Sequence, residues 1–282
     1  MTKAIVDLHA HLTDAIHQGT WFNGKPHTPV ERCESLARQL LKKSFSTADS
    51  TLVGIIDFDD HRAERTFEAL KRNSDDSRHD GNLLSVYDEN KAAHYLKGQE
   101  IPTNKGHLLV LGAKSDVTSR TLRDAINEAK DLGGIVIADH PLFNVGPLQQ
   151  AALRLIKHPS QLSVTARELY EFKDSFDAME IMNGNLSKRY TRKQDLLSFD
   201  YDIPGIATSD SHTVDGVFSV NMEMANLDFS DEESLKDSLK REFRRYPRKI
   251  NGSYNGMTER LRHTAASFYE NLLFSTGLVK KF

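Results

Sequence analysis

Two pairs of residues share a spacing that could do chemistry: His9 with His11, and Asp210 with His212. Residues two apart in an extended strand project to the same side, so each pair can bring two ligand atoms to one ion. Imidazole and carboxylate suit divalent zinc, manganese or iron. Glu100 precedes His107 in a stretch that turns through Pro102 and Gly106. It reads either as a solvated loop glutamate or as a carboxylate bridging two ions. His140 precedes Pro141, which disfavours helix and predicts extended backbone at a strand end. His158-Pro159 is the same dipeptide, and no role is assigned to it.

The elements that must position these residues follow a regular pattern. Ile5 and Val6 lead into Asp7, His9 and His11, and Val53 to Ile56 leads into Asp57. Ile135 to Ala138 leads into Asp139 and His140, and Ile206 to Thr208 into Asp210 and His212. From about residue 100 short apolar runs alternate with amphipathic stretches. The run Leu108–Leu111 precedes a helix with Leu122, Ala125, Ile126, Ala129 and Leu132 at helical spacing, ended by Gly133 and Gly134. Strands are predicted at Ile135–Ala138, Met179–Met182 and Ile203–Thr208, and helices over Leu148–Ile156, Tyr190–Leu197 and Ser234–Arg245. Strand-then-helix order predicts a largely parallel α/β sheet or barrel. Such a barrel opens its strand C-termini on one face, where active sites are assembled. Asn73–Asn82 and Ser230–Glu233 read as surface loops. A final helix over about 257–275, with Leu261, Ala265, Phe268, Leu272 and Leu273, is expected to pack on the outside of a single domain spanning 1–282.

Composition narrows the function. The 282 residues are 38% hydrophobic, enough for a sizeable core. With 37 basic and 40 acidic residues the net charge is −3, which gives no field to draw nucleic acid or an anionic membrane. Cys33 is the one cysteine, so a metal must sit on His and carboxylate rather than on several thiolates. The opening residues are unlike a signal peptide, and no run is long enough to span a membrane. The cytoplasm is the expected compartment.

The ordered set of motifs resembles the polymerase and histidinol phosphatase (PHP) family, from residue 5 to about 218. The pieces are Asp7-Leu-His9-Ala-His11, Val53-Gly-Ile-Ile-Asp57, Gly98-Gln-Glu100-Ile, Gly106-His107-Leu-Leu-Val-Leu-Gly112, Ala138-Asp-His140-Pro141, Met179-Glu180-Ile-Met-Asn183-Gly184 and Ser209-Asp210-Ser-His212. The resemblance implies a distorted seven-stranded (β/α) barrel, two or three metal ions, and phosphoester hydrolysis by a metal-bound hydroxide. It implies one ion on His9, His11, Glu100 and Asp210, and a second on Glu100, His107 and His140. A third ion would draw on His17 and His212. Where relatives commonly carry Thr-Asp-His after the second strand, this chain has Ile56-Asp57-Phe58. Phenylalanine cannot ligate, so two ions are expected, with Asp57, Asp59 and His61 the residues nearest the gap.

In that reading Asp210 or His212 handles the proton. Asn183 shapes the substrate pocket, and the cluster Lys188, Arg189, Arg192 and Lys193 reads either as a solvated helix face or, through Arg189, as the contact to the phosphate of a small phosphorylated metabolite or nucleotide. The alternatives are hydrolysis of a non-phosphate ester or amide, and a noncatalytic module with a decayed site.

Overall fold

The structure, a computed structural model, describes residues 3–12, 29–57, 62–142, 163–186, 188–245 and 249–253. Its first half contains β1 (Ala4–Ala10), α1 (Pro29–Thr47), β2 (Ser50–Asp57), α2 (Arg62–Arg72), β3 (Ser77–Asp80), β4 (Leu83–Asp88), β5 (Lys91–Thr103) and β6 (Gly106–Leu111). The second contains α3 (Leu122–Asp131), β7 (Ile135–Ala138), α4 (Ala166–Glu171), β8 (Ala178–Asn183), α5 (Lys188–Asp200), β9 (Gly205–Thr208), β10 (Val220–Met224), α6 (Glu232–Phe243) and β11 (Lys249–Gly252).

Strands β1, β2, β5, β6, β7, β8 and β9 lie side by side in that order. A parallel bridge between Ala10 and Ser211 returns the chain after β9 to β1, so the seven nearly close a barrel. β10 and β11 extend the sheet antiparallel from β1. This is the distorted α/β barrel expected from the sequence, and its distortion can be located. Pairing is parallel from β1 to β2 to β5 and from β7 to β8 to β9, but β6 runs antiparallel to both neighbours. The expectation of a largely parallel sheet therefore fails at β6. The link from β5 is too short for a crossover, which takes a dozen or more residues, and closes as a hairpin. Gly106 makes that hairpin possible: its φ is +119°, and a Cβ there would lie 2.2 Å from the Ser163 carbonyl carbon.

The barrel core joins Val6, Leu8, Leu52, Leu96, Leu109, Ile135 and Ile137 with Leu235, Leu239 and Phe243 of α6. Buried Lys236 ties α6 to the turns flanking β6 and β7, donating to the carbonyls of Gly112 at 3.3 Å and Gly133 at 3.0 Å. α6 thus covers the end of the barrel opposite the site. A second cluster packs α1 and α2 on β2, β4 and β5, and a third packs α3 on β6, β7 and β8. α3 forms where its apolar spacing predicts it, with Thr121 capping the Asp124 N–H.

Two expected loops contain regular structure. Asn73–Asn82 holds β3, which pairs with β4 as a hairpin despite being exposed throughout; its all-polar sequence conceals the strand. Ser230–Glu233 runs into α6, which begins at Glu232 with Asp231 as its N-cap. The segment Leu148–Ile156 and the outer helix at about 257–275 lie outside the described residues. No described helix is long and apolar enough to cross a membrane.

Candidate metal centre

Side-chain alternation in β1 reverses partway along the strand, and that reversal builds the site. Asp7 pairs with Val53 and Ala10 with Ile55, so Leu8 and His9 together oppose the single residue Gly54. Before the bulge Ala4, Val6 and Leu8 face the barrel core while Ile5 faces the helices; after it Ala10 and Leu12 face the helices. His9 and His11 consequently turn inward. In a regular strand they would share the outer face of Ile5. Gly54 is required because a Cβ there would lie 2.2 Å from the Leu8 carbonyl oxygen. Asp7 secures the far side, accepting from the backbone N–H of Ser209 at 3.0 Å and of Phe218 at 2.9 Å. Burial pushes its carboxyl up to about 6, against the pull of these donors.

A second bulge, in β8 between Glu180 and Met182, brings Glu180 and Asn183 to the same side although they are three residues apart. The Asn183 Nδ2 donates to Glu180 Oε2 at 2.9 Å and to Asp210 Oδ2 at 3.1 Å. The hairpin supplies the third device. It returns the start of β6 to the end of β5, with Pro102 opposite His107, so Glu100 and His107 meet at the same end of the barrel as the other groups.

Two groups of donors converge there, with Glu100 common to both: His9, His11 and Glu100, and Glu100, His107, Asp139 and His140, the ligand atoms of each within 4.8 Å of one another. Glu100 Oε2 is 3.0 Å from His11 Nε2. Its Oε1 contacts His107 Nδ1 and lies 3.6 Å from His140 Nε2. Asp210 Oδ1 is 3.6 Å from His9 Nε2 and 3.8 Å from His11 Nε2. A third group, His11, Asp210 and His212, shares two residues with these. The His212 ring stacks on His11 with centroids 4.7 Å apart.

The donor set fits divalent metal. His9 Nε2 and His11 Nε2 face each other at 2.8 Å, a separation that needs a proton or a cation between the lone pairs. His9 Nδ1 donates to Glu180 Oε1 at 2.8 Å, the carboxylate–histidine arrangement that fixes tautomer and ring orientation for a metal ligand. Glu180 also accepts from the Thr208 hydroxyl at 2.6 Å and the His140 backbone N–H at 2.9 Å. Burial alone would raise its carboxyl, but these partners and His9 hold it at about 2. Burial would likewise raise Glu100, yet the imidazoles of His107, His11 and His140 hold it well below the usual range. Burial would lower His9, and Asp139, Asp210 and Glu180 together hold it well above. Cys33 is buried in the helix-side cluster, away from these groups.

His140 and Asp210 both have left-handed backbone, at φ +23° and +48°. The extended geometry expected of His140 before Pro141 is not what the chain adopts: the Glu180 carboxylate holds its N–H in the turn. Backbone in this region costs of order 1–3 kcal/mol per residue and clusters at functional sites.

The structure thus brings together His9, His11, Glu100, His107, His140, Asp210 and His212. Asn183 is fully buried behind Asp210 and Glu180. His17, Asp59 and His61, with the side chains of Asp57 and Arg189, lie outside what is described. Arg192 and Lys193 are exposed on α5. Neither Asp139 nor Glu180 had a role from the sequence. The alternation Ile135, Ile137, Asp139 on the inward face was the signal for the first; the β8 bulge concealed the second.

No family model matches the chain, and no curated protein matches it. Solved structures do. PsfC from Pseudomonas syringae is 14% identical with a TM-score of 0.55, covering 97% of this chain and 100% of that one. A two-domain protein from Bacteroides vulgatus, described as containing a predicted PHP-like metal-dependent phosphoesterase, is 16% identical with a TM-score of 0.53, covering 96% of this chain and 70% of that one. The fold of this chain is therefore similar to that of known proteins, among them one so described.

Proposed function

We propose that the chain is a metal-dependent hydrolase that cleaves the phosphoester of a small phosphorylated metabolite or nucleotide with two divalent ions, zinc, manganese or iron. One observation carries the reading: the two oxygens of buried Glu100 face different histidine groups, Oε2 toward His11 and Oε1 toward His107 and His140. His9, His11, Glu100 and Asp210 would hold one ion, and Glu100, His107 and His140 the other. Ions bound in this way supply Lewis acidity, lower the pKa of water toward about 7, and neutralise charge on attacking and leaving oxygens.

The chain's own residues do the rest. Glu180 orients His9, and Asn183 orients Asp210. Asp210 and His212, beside the His9–His11 pair, move the proton. The His212 Nδ1 donates to the Asp210 carbonyl at 3.2 Å, which sets the ring across His11. α5 begins at Lys188, just beyond the strand that ends in Asn183. Its first turn carries Arg189, our candidate for the phosphate contact, where a helix N-terminus also favours anions.

A panel of phosphomonoesters, phosphodiesters and nucleotides tests the reading on protein stripped with chelator and reconstituted with each metal. Turnover should vanish with chelator and return with metal. Turnover confined to carboxylic esters or amides, or none from fully loaded protein, would overturn it.

A further inference from the structure

Asp139 is the buried group that the proposed ion sites leave without a purpose. Its side chain is fully buried, and neither carboxylate oxygen has an aligned hydrogen-bond donor. A buried carboxylate is strongly disfavoured unless a cation or a well-aligned donor meets it. Its surroundings are imidazoles: Oδ2 lies 2.9 Å from His140 Nε2 and 4.0 Å from His107 Nδ1, and Oδ1 lies 3.4 Å from His9 Nδ1. Glu180 already occupies that His9 nitrogen at 2.8 Å, so orienting His9 does not account for Asp139. Projecting inward from β7, the carboxylate belongs both to the group formed with Glu100, His107 and His140 and to one formed with His9 and Glu180; in the latter Glu180 already takes the His9 nitrogen.

We infer that Asp139, through Oδ2, is a protein ligand to the ion held by Glu100, His107 and His140. This assignment rests on the two-ion reading above. It gives each ion two imidazoles and two carboxylates, with Glu100 shared. Three carboxylates then face the charge of two divalent ions, and the second site no longer depends on Glu100 for all of its negative charge. With Asp139 the second ion has four N/O donors from the chain, the same number as the first.

The test compares wild type with Asp139→Asn, using Mn²⁺ as the probe, by metal analysis after gel filtration and by electron paramagnetic resonance. Wild type should retain about two ions per chain with a spin-coupled spectrum, as closely spaced pairs show. Asp139→Asn should retain about one, with an uncoupled spectrum. The second ion should weaken by more than the roughly 10–100-fold that loss of an orienting partner costs. Melting in chelator separates this from misfolding: metal-free Asp139→Asn should still melt cooperatively, yet should gain less than wild type on adding Mn²⁺. Asp139→Ser replaces it if Asn does not fold, with the same expectations. Two coupled ions of unchanged affinity in the variant would overturn the assignment alone. A wild type that takes up no metal would overturn the two-ion reading and this assignment with it.

Discussion

His9 Nδ1 donates to Glu180 Oε1 at 2.8 Å inside the barrel, and both side chains are fully buried. The pair sets the direction in which His9 Nε2 points. Glu180→Ala would leave the His9 ring N–H, the Thr208 hydroxyl and the His140 backbone N–H without their acceptor and would take one of two from the Asn183 amide. Each buried group left unpaired costs about 1–3 kcal/mol. We expect a loss of at least about 3 kcal/mol in denaturant unfolding and metal binding weaker by about 10–100-fold. Unchanged metal affinity would deny Glu180 its orienting role.

Glu100→Gln should impair both ions, because one carboxylate faces both histidine groups. Titration of the stripped variant should show neither site filling at concentrations that saturate wild type. Loss of one ion with the other intact would count against a bridging carboxylate.

Gly54→Ala tests the bulge. A Cβ there would lie 2.2 Å from the Leu8 carbonyl oxygen and 2.6 Å from its carbon, and neither backbone atom can yield without moving β1. We expect destabilisation of more than about 3 kcal/mol, above the usual range for single substitutions, together with loss of metal from His9 and His11. A variant of wild-type stability that still binds metal would mean that β1 does not need the close approach.

His94 gives the fold a pH dependence separate from the metal centre. Its ring is buried, stacks on Phe229 with centroids 3.5 Å apart, and bonds Ser85 Oγ at 2.8 Å. Burial lowers its pKa from 6.5 to about 3. The unfolded chain therefore binds a proton that the folded chain refuses, and stability falls as pH drops from about 6.5 toward 3, by up to about 1.4 kcal/mol per pH unit. Above 6.5 the contribution is complete and flat. His94→Gln should flatten the acid limb of a stability-versus-pH curve measured in chelator; an identical slope in the variant would place the effect elsewhere.

The barrel and most of its converging residues were legible because they depend on local pattern: apolar runs ending in polar residues, and ligand pairs two apart. What escaped depends on register. Spacing alone gives His9 and His11 a common side but not the inward one, which comes from two residues opposing Gly54. The antiparallel course of β6 follows from the brevity of the Thr103–Gly106 link, which outweighs the strand-then-helix rhythm around it. Asp139 was visible as a strand-end acid, yet its place among the imidazoles of His9, His107 and His140 appears only once the barrel is packed. β3 was hidden because all four of its residues are polar and exposed.

Metal held by the chain itself is what every role assigned to the site above requires. Protein expressed with supplemented metal, freed of loosely bound ions by gel filtration and analysed by mass spectrometry, should carry about two transition-metal ions per chain. A chain that folds and carries none under those conditions would contradict those roles.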